Sequence, residues 1–440
     1  MVANYHALEH QGCSLPHLLL LCAPRMAIQM AWAAQWAAFG PTLETRLASW
    51  AVQLVQITGP ITGLLVCPTI GVFSDHCTSR FGRRRPFLVV GTLATVVVWV
   101  LMMCTSYISD SWRTGYMVTL YVLSGAAVNT AQVPASLIIA DFAGDRQVTA
   151  YSIAQAYSIV GSLVVSGYIS VFGPAHESFM RFMAMLIVIL IVTVLPVVFC
   201  VKETPFVPET PLQSDVKNGF LAVYHGIKFL PRLLTVYCIG FVLLEFGFAG
   251  YNGNKNQYFG LVLNDGNATG ADKCPKCDAP QQRYSDGVSL ASGLVDTLHL
   301  AFGLLYLFVL PTIVRKFGAR RVIVFSIVPQ TLLVLIFFVR SKILTAVVVT
   351  GMSVTQNMVF SMQIPVILHV VGYGELNGLG MFAGAFNSAN CLGQLLTFAL
   401  SPILVTTSLT HALPILVGGV VTILAFLVAF FKFDIRMTTV

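Results

Sequence analysis

Four ionisable side chains lie within or at the edge of long apolar stretches of this sequence: Asp141, Glu245, Asp296 and His299. A carboxyl group in a partly dry site can take up and release a proton near neutral pH. Asp296 and His299 are spaced one helical turn apart, which brings their side chains within reach of each other. We therefore predict that these four residues carry coupling protons. The alternatives are a helix-end cap for Asp141 and a plain interhelical pair for Asp296 and His299.

Three groups of polar side chains recur at helical spacing in the apolar stretches. Amide groups can hydrogen-bond the hydroxyl groups of a ligand, and an indole offers a flat face for stacking. The first group fans across about 120° of one helix face. The alternative is hydrogen bonding between helices, which is favoured for the third group. We predict a pocket lined by the first two groups and Asn387. The groups are Gln29, Trp32 and Gln35; Asn129, Gln132 and Ser136; and Asn387, Asn390 and Gln394.

A cluster of positive charge interrupts the apolar sequence at Ser74–Phe87, SDHCTSRFGRRRPF. Glycine at position 71 lets helices approach closely, and glycine at position 82 permits a tight turn. We predict that this loop is a charged latch that breaks and re-forms during a conformational cycle. An anchor that only fixes the topology is the alternative. The predicted loop residues are Gly71, Asp75, Arg80, Gly82, Arg83, Arg84 and Arg85.

Composition indicates the scaffold that must position these residues. Charged residues are 10% of the 440, hydrophobic residues are 56%, and the mean hydropathy is +0.81. Soluble domains carry roughly 25% charged residues, so this chain has too little polar surface to cover a soluble fold. Runs of about twenty apolar residues span a bilayer as helices. We predict an all-α membrane protein with twelve transmembrane helices, near residues 17–40, 48–73, 87–107, 115–140, 149–172, 179–201, 232–251, 286–313, 322–339, 343–368, 378–403 and 411–431.

The distribution of lysine and arginine orients these spans. With both termini cytoplasmic, 15 of the 25 lysines and arginines fall inside, nine fall outside and one lies in the first span. The loop that then falls outside holds the sequon Asn267-Ala268-Thr269, so we predict glycosylation of Asn267. The predicted domains are a six-helix half at 1–201, a cytoplasmic linker at 202–231 and a second six-helix half at 232–440. A weaker copy of the arginine loop at Arg315–Arg321 supports two parallel halves, the layout of major-facilitator transporters.

These stretches also carry a resemblance to a known family. The loop Ser74–Phe87 resembles the signature of plant sucrose–proton symporters and their animal relatives, within the glycoside–pentoside–hexuronide cation symporters. The resemblance implies a twelve-helix alternating-access carrier that takes up sucrose or a related glycoside, commonly with a proton. The segments similar to the family's helices one, four, eight and eleven are Ala27–Pro41; Asn129–Gly144; Tyr284–Val288 with Phe317–Arg320; and Gly378–Gln394.

The resemblance assigns a role to Asp141 and shows one departure. It implies that this helix-four acid takes the coupling proton and contacts the sugar. The family has an arginine five residues earlier, where this chain has Ser136. Arg25 in the first span can compensate, or it can extend to the inner face. We predict sucrose or glycoside transport by proton symport; an uncoupled facilitator and a non-transporting sugar sensor are the alternatives.

Other classes of function are disfavoured by what the sequence contains. Its cations lie at the ends of apolar segments rather than on one soluble patch, which argues against nucleic acid. Without a phosphate-binding Gly-rich motif, ATP-driven pumping is unsupported. We expect no enzyme activity, no metal and no cofactor, with sugar, proton and lipid bilayer as partners. Cys274 and Cys277 form a small disulfide or pair elsewhere. The plasma membrane is the default location, and an acidic vesicle membrane is the alternative.

Overall fold

All regular structure in the described part of the chain is helical. The computed structural model describes residues 14–75, 77–143, 147–203, 228, 230–271, 274, 277–371 and 379–435. Helices are expected here because lipid offers no water to the backbone, and a helix bonds its amide and carbonyl groups internally. The helices before residue 203 are α1 (Leu15–Ala34), α2 (Gly40–Glu44), α3 (Ser49–Gln56), α4 (Thr58–Asp75), α5 (Arg85–Met103), α6 (Asp110–Ala143), α7 (Gln147–Phe172) and α8 (Phe179–Cys200).

The part after residue 228 begins with a long helix and contains several short ones. Its helices are α9 (Arg232–Asn252), α10 (Lys255–Gln257), α11 (Ala279–Ser289), α12 (Asp296–Phe317), α13 (Ala319–Phe325), α14 (Val328–Thr331), α15 (Leu333–Phe338), α16 (Lys342–Val371), α17 (Leu379–Val405) and α18 (Ala412–Lys432). Wider π-helical turns interrupt the regular geometry at Gln35–Phe39, Tyr258–Leu263 and Leu290–Val295. Such turns are frequent at functional sites, and each of these lies next to polar residues described below.

Eleven helical stretches among the described residues are long and apolar enough to cross a bilayer. They correspond one for one to the second through twelfth predicted spans; Phe179–Cys200, for example, corresponds to 179–201. The first predicted span, 17–40, is α1 continued by a π-helical turn, and it is not one of the eleven. The chain is therefore a multi-pass helical membrane protein, and twelve spans remain a prediction.

Helix α8 shows how one membrane helix distributes its side chains. Leu186 and Leu190 are buried, whereas Val192 is 64% and Phe199 is 74% exposed. A helix that is apolar all round is typical of a lipid-embedded segment. The exposed valine and phenylalanine therefore face hydrocarbon, where their exposure costs nothing.

The described residues form two compact units. Unit 1 contains the described residues 14–35, 65–165 and 179–203. Unit 2 contains residues 36–64 and 166–178 and the described residues from 228 onward. Unit 2 thus includes short segments from the first part of the chain. The predicted halves at 1–201 and 232–440 stay predictions, and most of the predicted linker, 204–227, lies outside the described residues.

Glycine contacts bring the helices of unit 1 together. Gly91 on α5 lies against the backbone of Ala131 on α6, and Gly161 on α7 lies against the backbone of Met26 on α1. A Cβ atom at either glycine would overlap main-chain atoms, so only glycine fits there. Helix α1 also packs along α6. This packing places the first two predicted groups of polar residues opposite each other.

Helix α9 forms the centre of unit 2, packed between α17 and α18. Gly247 on α9 approaches Gly418 and Thr422 on α18, and no larger residue fits between these helices. A cluster of buried apolar side chains, including Phe241 and Leu244 of α9 and Phe386 of α17, fills the packing between helices of this unit. Glu245 on α9 is therefore held inside a closely packed helical core, and α3 packs against α17 beside it.

Candidate substrate and proton-binding sites

Two carboxylates hold the arginine loop in unit 1. Arg83 Nη2 donates to Asp141 Oδ1 over 2.8 Å, and Arg84 Nε donates to Asp141 Oδ2 over 3.1 Å. The Glu203 carboxylate accepts the backbone N–H groups of Arg84 and Arg85 over 2.8 and 3.2 Å. Charge-assisted hydrogen bonds of this kind are stronger than neutral ones. The loop is thereby fastened to the end of α6 and to the chain that follows α8.

The fold of the loop depends on Gly82 and Arg84. Gly82 has a φ of +98°, a conformation that strains residues with a side chain. A Cβ atom at this position would also overlap the side chain of Glu203. Arg84 is 3% exposed and donates a further hydrogen bond to Ser74 Oγ over 2.6 Å. The predicted tight turn at Gly82 is thus present, and it allows Glu203 to reach the loop backbone.

The other predicted loop residues lie around this centre. Arg85 Nη1 donates to the Val198 carbonyl over 3.0 Å, and the Arg80 guanidinium lies 4.8 Å from the ring centre of the next residue. Gly71 lies inside α4, and Asp75 ends that helix, although the side chain of Asp75 lies outside the described atoms. The latch role of the loop stays a prediction.

Asp141 lies in the same cluster as the arginines. Its side chain is 27% exposed and bonds to two guanidinium groups. The sequence predicts a proton carrier at Asp141 and a latch at Arg83 and Arg84 as separate features. The structure joins them, because any change in the charge of Asp141 acts directly on the loop.

A cavity of about 80 Å³ lies within unit 1 next to Ser136. Arg25 Nη1 on α1 donates to Ser136 Oγ on α6 over 3.3 Å. A guanidinium from helix α1 therefore reaches the position where α6 carries serine. A guanidinium, a hydroxyl, a phenol and an amide face the cavity, a set that can bond to hydroxyl groups of a ligand. The lining residues are Arg25, Ser136, Ile139, Tyr151, Ala154 and Gln155.

The first two predicted groups of polar residues meet between α1 and α6. Trp32 Nε1 donates to Gln132 Oε1 over 2.6 Å. Asn129 accepts from Cys67 Sγ at 3.3 Å and donates to the carbonyl four residues earlier, which ties it into the helix packing. Gln29 is half-buried. Gln35 is 4% exposed, and its Nε2 has no hydrogen-bond partner among the described residues.

Asp296 on α12 pairs with Lys255 on α10 in unit 2. The side chains are 17% and 4% exposed, respectively. His299 instead lies with Nδ1 2.8 Å from the Val349 carbonyl on α16. Asp296 and His299 thus each have a hydrogen-bond partner on another helix, and the two residues also interact electrostatically with each other. Burying a lysine is costly unless a carboxylate compensates its charge.

Glu245 on α9 is 1% exposed, and the Gln394 side chain on α17 hydrogen-bonds its carboxyl group. Gln394 Nε2 also donates to Asn390 Oδ1 over 2.8 Å. The Oε1 atom of Glu245 has no hydrogen-bond partner in the described part of the chain. Asn387 lies on α17, like Gln394, and is half-buried. In the third predicted group, Gln394 therefore links two helices, as the alternative interpretation expects.

The loop between α10 and α11 contains the sequon and the cysteine pair. Cys274 and Cys277 form a disulfide bond, one of the two expected pairings. Asn267 is exposed, and its Oδ1 accepts the backbone N–H of Thr269 over 3.0 Å. Glycosylation of Asn267 stays a prediction.

Sequence reasoning missed several buried ionisable residues, among them Lys255 and Glu44. Lys255 lies just beyond the end of the predicted span 232–251, and Glu44 lies just beyond the end of 17–40. Because residues between spans are usually solvated, neither was expected to be buried. Glu44 is 5% and Lys255 is 3% exposed. A usable signal was present for Lys255, because it lies among four consecutive polar residues, 254–257, between two apolar runs.

Residues 25–271 match the family described as MFS/sugar transport protein. This match covers more than half of the chain. The chain belongs to this family. Membership makes it a membrane transporter and not an enzyme, as the sequence predicts.

Curated relatives of this family member include sucrose transport proteins of plants. One from Arabidopsis thaliana is 30% identical over 172 residues, which are 35% of this chain and 29% of that protein. One from Oryza sativa subsp. japonica is 28% identical over 361 residues, which are 71% of this chain and 64% of that protein. The matched stretches therefore span less than two thirds of the length of these relatives.

Solved structures show the same fold at low sequence identity. A D-xylose–proton symporter matches with a TM-score of 0.64 and 16% identity, covering 96% of this chain and 98% of that one. The nucleoside transporter NupG matches with a TM-score of 0.63 and 14% identity, covering 95% of this chain and 99% of that one. At these identities the likeness concerns the fold alone.

Proposed function

We propose that this transporter is a secondary carrier that moves sucrose or a related glycoside by alternating access, together with a proton. Its family supports a sugar as substrate, and the sucrose transport proteins among its relatives support sucrose. The observation that carries the proposal is the polar cavity at Arg25 and Ser136, close to the hydrogen bond between Trp32 and Gln132.

The cavity has the chemistry that a sugar requires. Arg25 and Trp32 are seven residues apart on α1, so both side chains leave the same helix face. Arg25 would donate to sugar hydroxyl groups, and Tyr151 and Gln155 would donate or accept. The Trp32 indole would stack on an apolar face of the sugar ring. The cavity of about 80 Å³ is smaller than the roughly 300 Å³ of ligand pockets. The substrate would therefore be held between α1, α6 and α7 in a conformation in which these helices lie further apart.

Proton coupling would act through Asp141. Its charge is what attracts the guanidinium groups of Arg83 and Arg84. Protonation would remove that charge and weaken both bonds, so proton uptake and release of the arginine loop would be one event. Substrate and proton would then favour different conformations of the carrier, which is what coupling requires.

The topology that goes with this function has twelve spans, with α1 as the first and both termini in the cytoplasm. The lysine and arginine distribution and the sequon at Asn267 support this orientation. The proposed location is the plasma membrane.

The experiment is uptake of labelled sucrose by liposomes that contain the purified chain, with and without an inward proton gradient. Arg25→Gln should weaken apparent sucrose affinity on the order of tenfold or more, because a hydrogen bond to a charged group contributes roughly 1.5–3 kcal/mol. Arg113→Gln is the matched control. Arg113 pairs with Asp110 over 2.7 Å, away from the cavity, and its loss should leave affinity unchanged.

Uncoupled facilitated transport is the second candidate. It is favoured by Ser136, since the arginine that the resemblance leads one to expect on α6 is absent and Arg25 approaches from another helix. Sucrose uptake that is indifferent to the proton gradient would select the facilitator. Sucrose binding without any flux would select a sugar sensor, and absence of both would overturn the substrate assignment.

A further inference from the structure

Glu44 is a buried carboxyl group at the end of α2, between the first and second predicted spans. It is 5% exposed. Ser49 Oγ donates to its Oε1 atom, and Gln257 Nε2 donates to its Oε2 atom over 3.4 Å. The two hydrogen-bonding groups that hold it are both neutral. A buried carboxylate without a compensating cation is energetically costly.

The bond to Gln257 is one of several that join 36–53 to 253–270 inside unit 2. Asn256 Nδ2 donates to the Trp36 carbonyl over 3.1 Å, and Gln53 Nε2 donates to the Gly253 carbonyl over 3.2 Å. The backbone N–H of Gly270 donates to the Thr45 carbonyl over 3.3 Å. All of these bonds connect neutral groups. Glu44 therefore places an ionisable group among hydrogen bonds that otherwise join neutral groups of these two segments.

The charged and titratable groups around Glu44 lie on α2, α10 and α11 and on a short helical turn at Ala175–Glu177. The Tyr284 phenol of α11 interacts electrostatically with Glu44 and has no hydrogen-bond partner among the described residues. His176 stacks on Tyr284 with ring centres 6.4 Å apart and lies 3.2 Å from Ser285 Oγ. The other ionisable residues of these elements and of the adjoining chain are Arg46, Lys255, Tyr258, Asp265, Glu177, Asp278, Arg283 and Asp286.

In the described part of the chain, the side chains that hydrogen-bond Glu44 carry no positive charge. Lys255 is already paired with Asp296, and a hydrogen bond from Ser285 is directed at Glu177. Burial raises the pKa of the Glu44 carboxyl from its ordinary value of 4.5 to about 7, and the hydrogen bonds from Ser49 and Gln257 act in the opposite direction. The geometry thus holds a carboxyl that changes charge in the physiological range.

We propose that Glu44 binds a proton when 36–53 packs against 253–270 and releases it when these segments separate, which makes it a proton-coupling residue of the carrier. The coupling role rests on the proposed transport function. Because the packed arrangement raises the pKa, protonation stabilises the packing. This contribution is fully present below the ordinary value of 4.5 and is lost as the pH rises through about 7.

The test is an infrared titration of the carboxyl groups of the purified full-length chain in lipid nanodiscs. The wild type should show protonated-carboxyl absorbance with a component that disappears at a midpoint near pH 7, and Glu44→Gln should lack this component. Glu245, a second buried carboxyl, is present in both chains, so the difference between them reports Glu44. Glu177→Gln, which removes a half-buried carboxyl in the same region, should retain the component. A component that persists unchanged in Glu44→Gln would overturn the proposal.

A second variant keeps the test decisive if Glu44→Gln does not fold. Ser49→Ala removes a donor that favours the ionised carboxyl, so the midpoint should move to higher pH. An unchanged midpoint in Ser49→Ala would contradict the proposal. Hydrogen exchange in 36–53, corrected for intrinsic pH dependence, should rise between pH 5 and pH 8 in the wild type and stay level in Glu44→Gln.

The outcome can be separated from the fate of the proposed function. Titration at Glu44 in a chain that moves no sugar would refute the substrate and leave the proton site intact. This inference alone would be refuted if the wild type showed no carboxyl titration near pH 7 and if proton-driven sugar flux were the same in Glu44→Gln as in the wild type.

Discussion

Asp141→Asn removes one charge from the arginine loop and keeps the shape of the side chain. The bond from Arg83 joins side chains that are 33% and 27% exposed, so it contributes at most about 1 kcal/mol. Arg84 is only 4% exposed at its side chain, and its bond to the carboxylate contributes roughly 1.5–3 kcal/mol. Asparagine can still accept a hydrogen bond. We therefore expect a loss of about 2 kcal/mol, which is about 30-fold in the opening equilibrium of the loop.

Hydrogen exchange measures this opening at two amides that the structure identifies. The backbone N–H groups of Arg84 and Arg85 donate to Glu203 in the closed loop and can exchange only when that contact breaks. Exchange in a peptide covering 82–86 should be about 30-fold faster in Asp141→Asn than in the wild type. Unchanged exchange would refute the argument that Asp141 holds the loop.

The matched control for this measurement is Asp110→Asn. Asp110 is the exposed member of a surface pair with Arg113, at 81% side-chain exposure. Exposed pairs of this kind contribute little to stability. Exchange at the arginine loop should therefore match the wild type in this variant, and acceleration there would point to a general loss of stability.

Two further substitutions test buried contacts by thermal unfolding in detergent. Asp296→Asn should lower the free energy of unfolding by about 3–5 kcal/mol, since it leaves Lys255 buried without its partner; a double variant with Lys255→Met should regain much of the loss, and failure to do so would show that the pair is not the cause. Gly82→Ala should cost about 2 kcal/mol because of its φ of +98° and the overlap with Glu203. Gly115→Ala, where nothing lies within 4 Å of the added atom, should be neutral, and equal Tm values for the two glycine variants would refute the strain argument.

The sequence by itself determined the helical membrane character of this protein. Apolar runs of about twenty residues must be helical in lipid, and eleven of the twelve predicted spans correspond to candidate membrane helices. The sequence also located the arginine loop, because Gly82 and three consecutive arginines between two such runs form a local pattern. The family followed from the same residues, since the match over 25–271 contains the loop.

Only the tertiary structure decided which polar groups are partners. The hydrogen-bond partner of Asp296 is Lys255, 41 residues away, and that of His299 is the Val349 carbonyl, 50 residues away. Arg25 donates a hydrogen bond to Ser136, 111 residues later in the chain. Glu44 accepts one from Gln257, 213 residues later. Periodicity reports the face of a helix on which a side chain lies, whereas the partner depends on which face of another helix packs there. In lipid that choice is made by close glycine contacts such as Gly161 on Met26, and such contacts leave no periodic trace in the sequence.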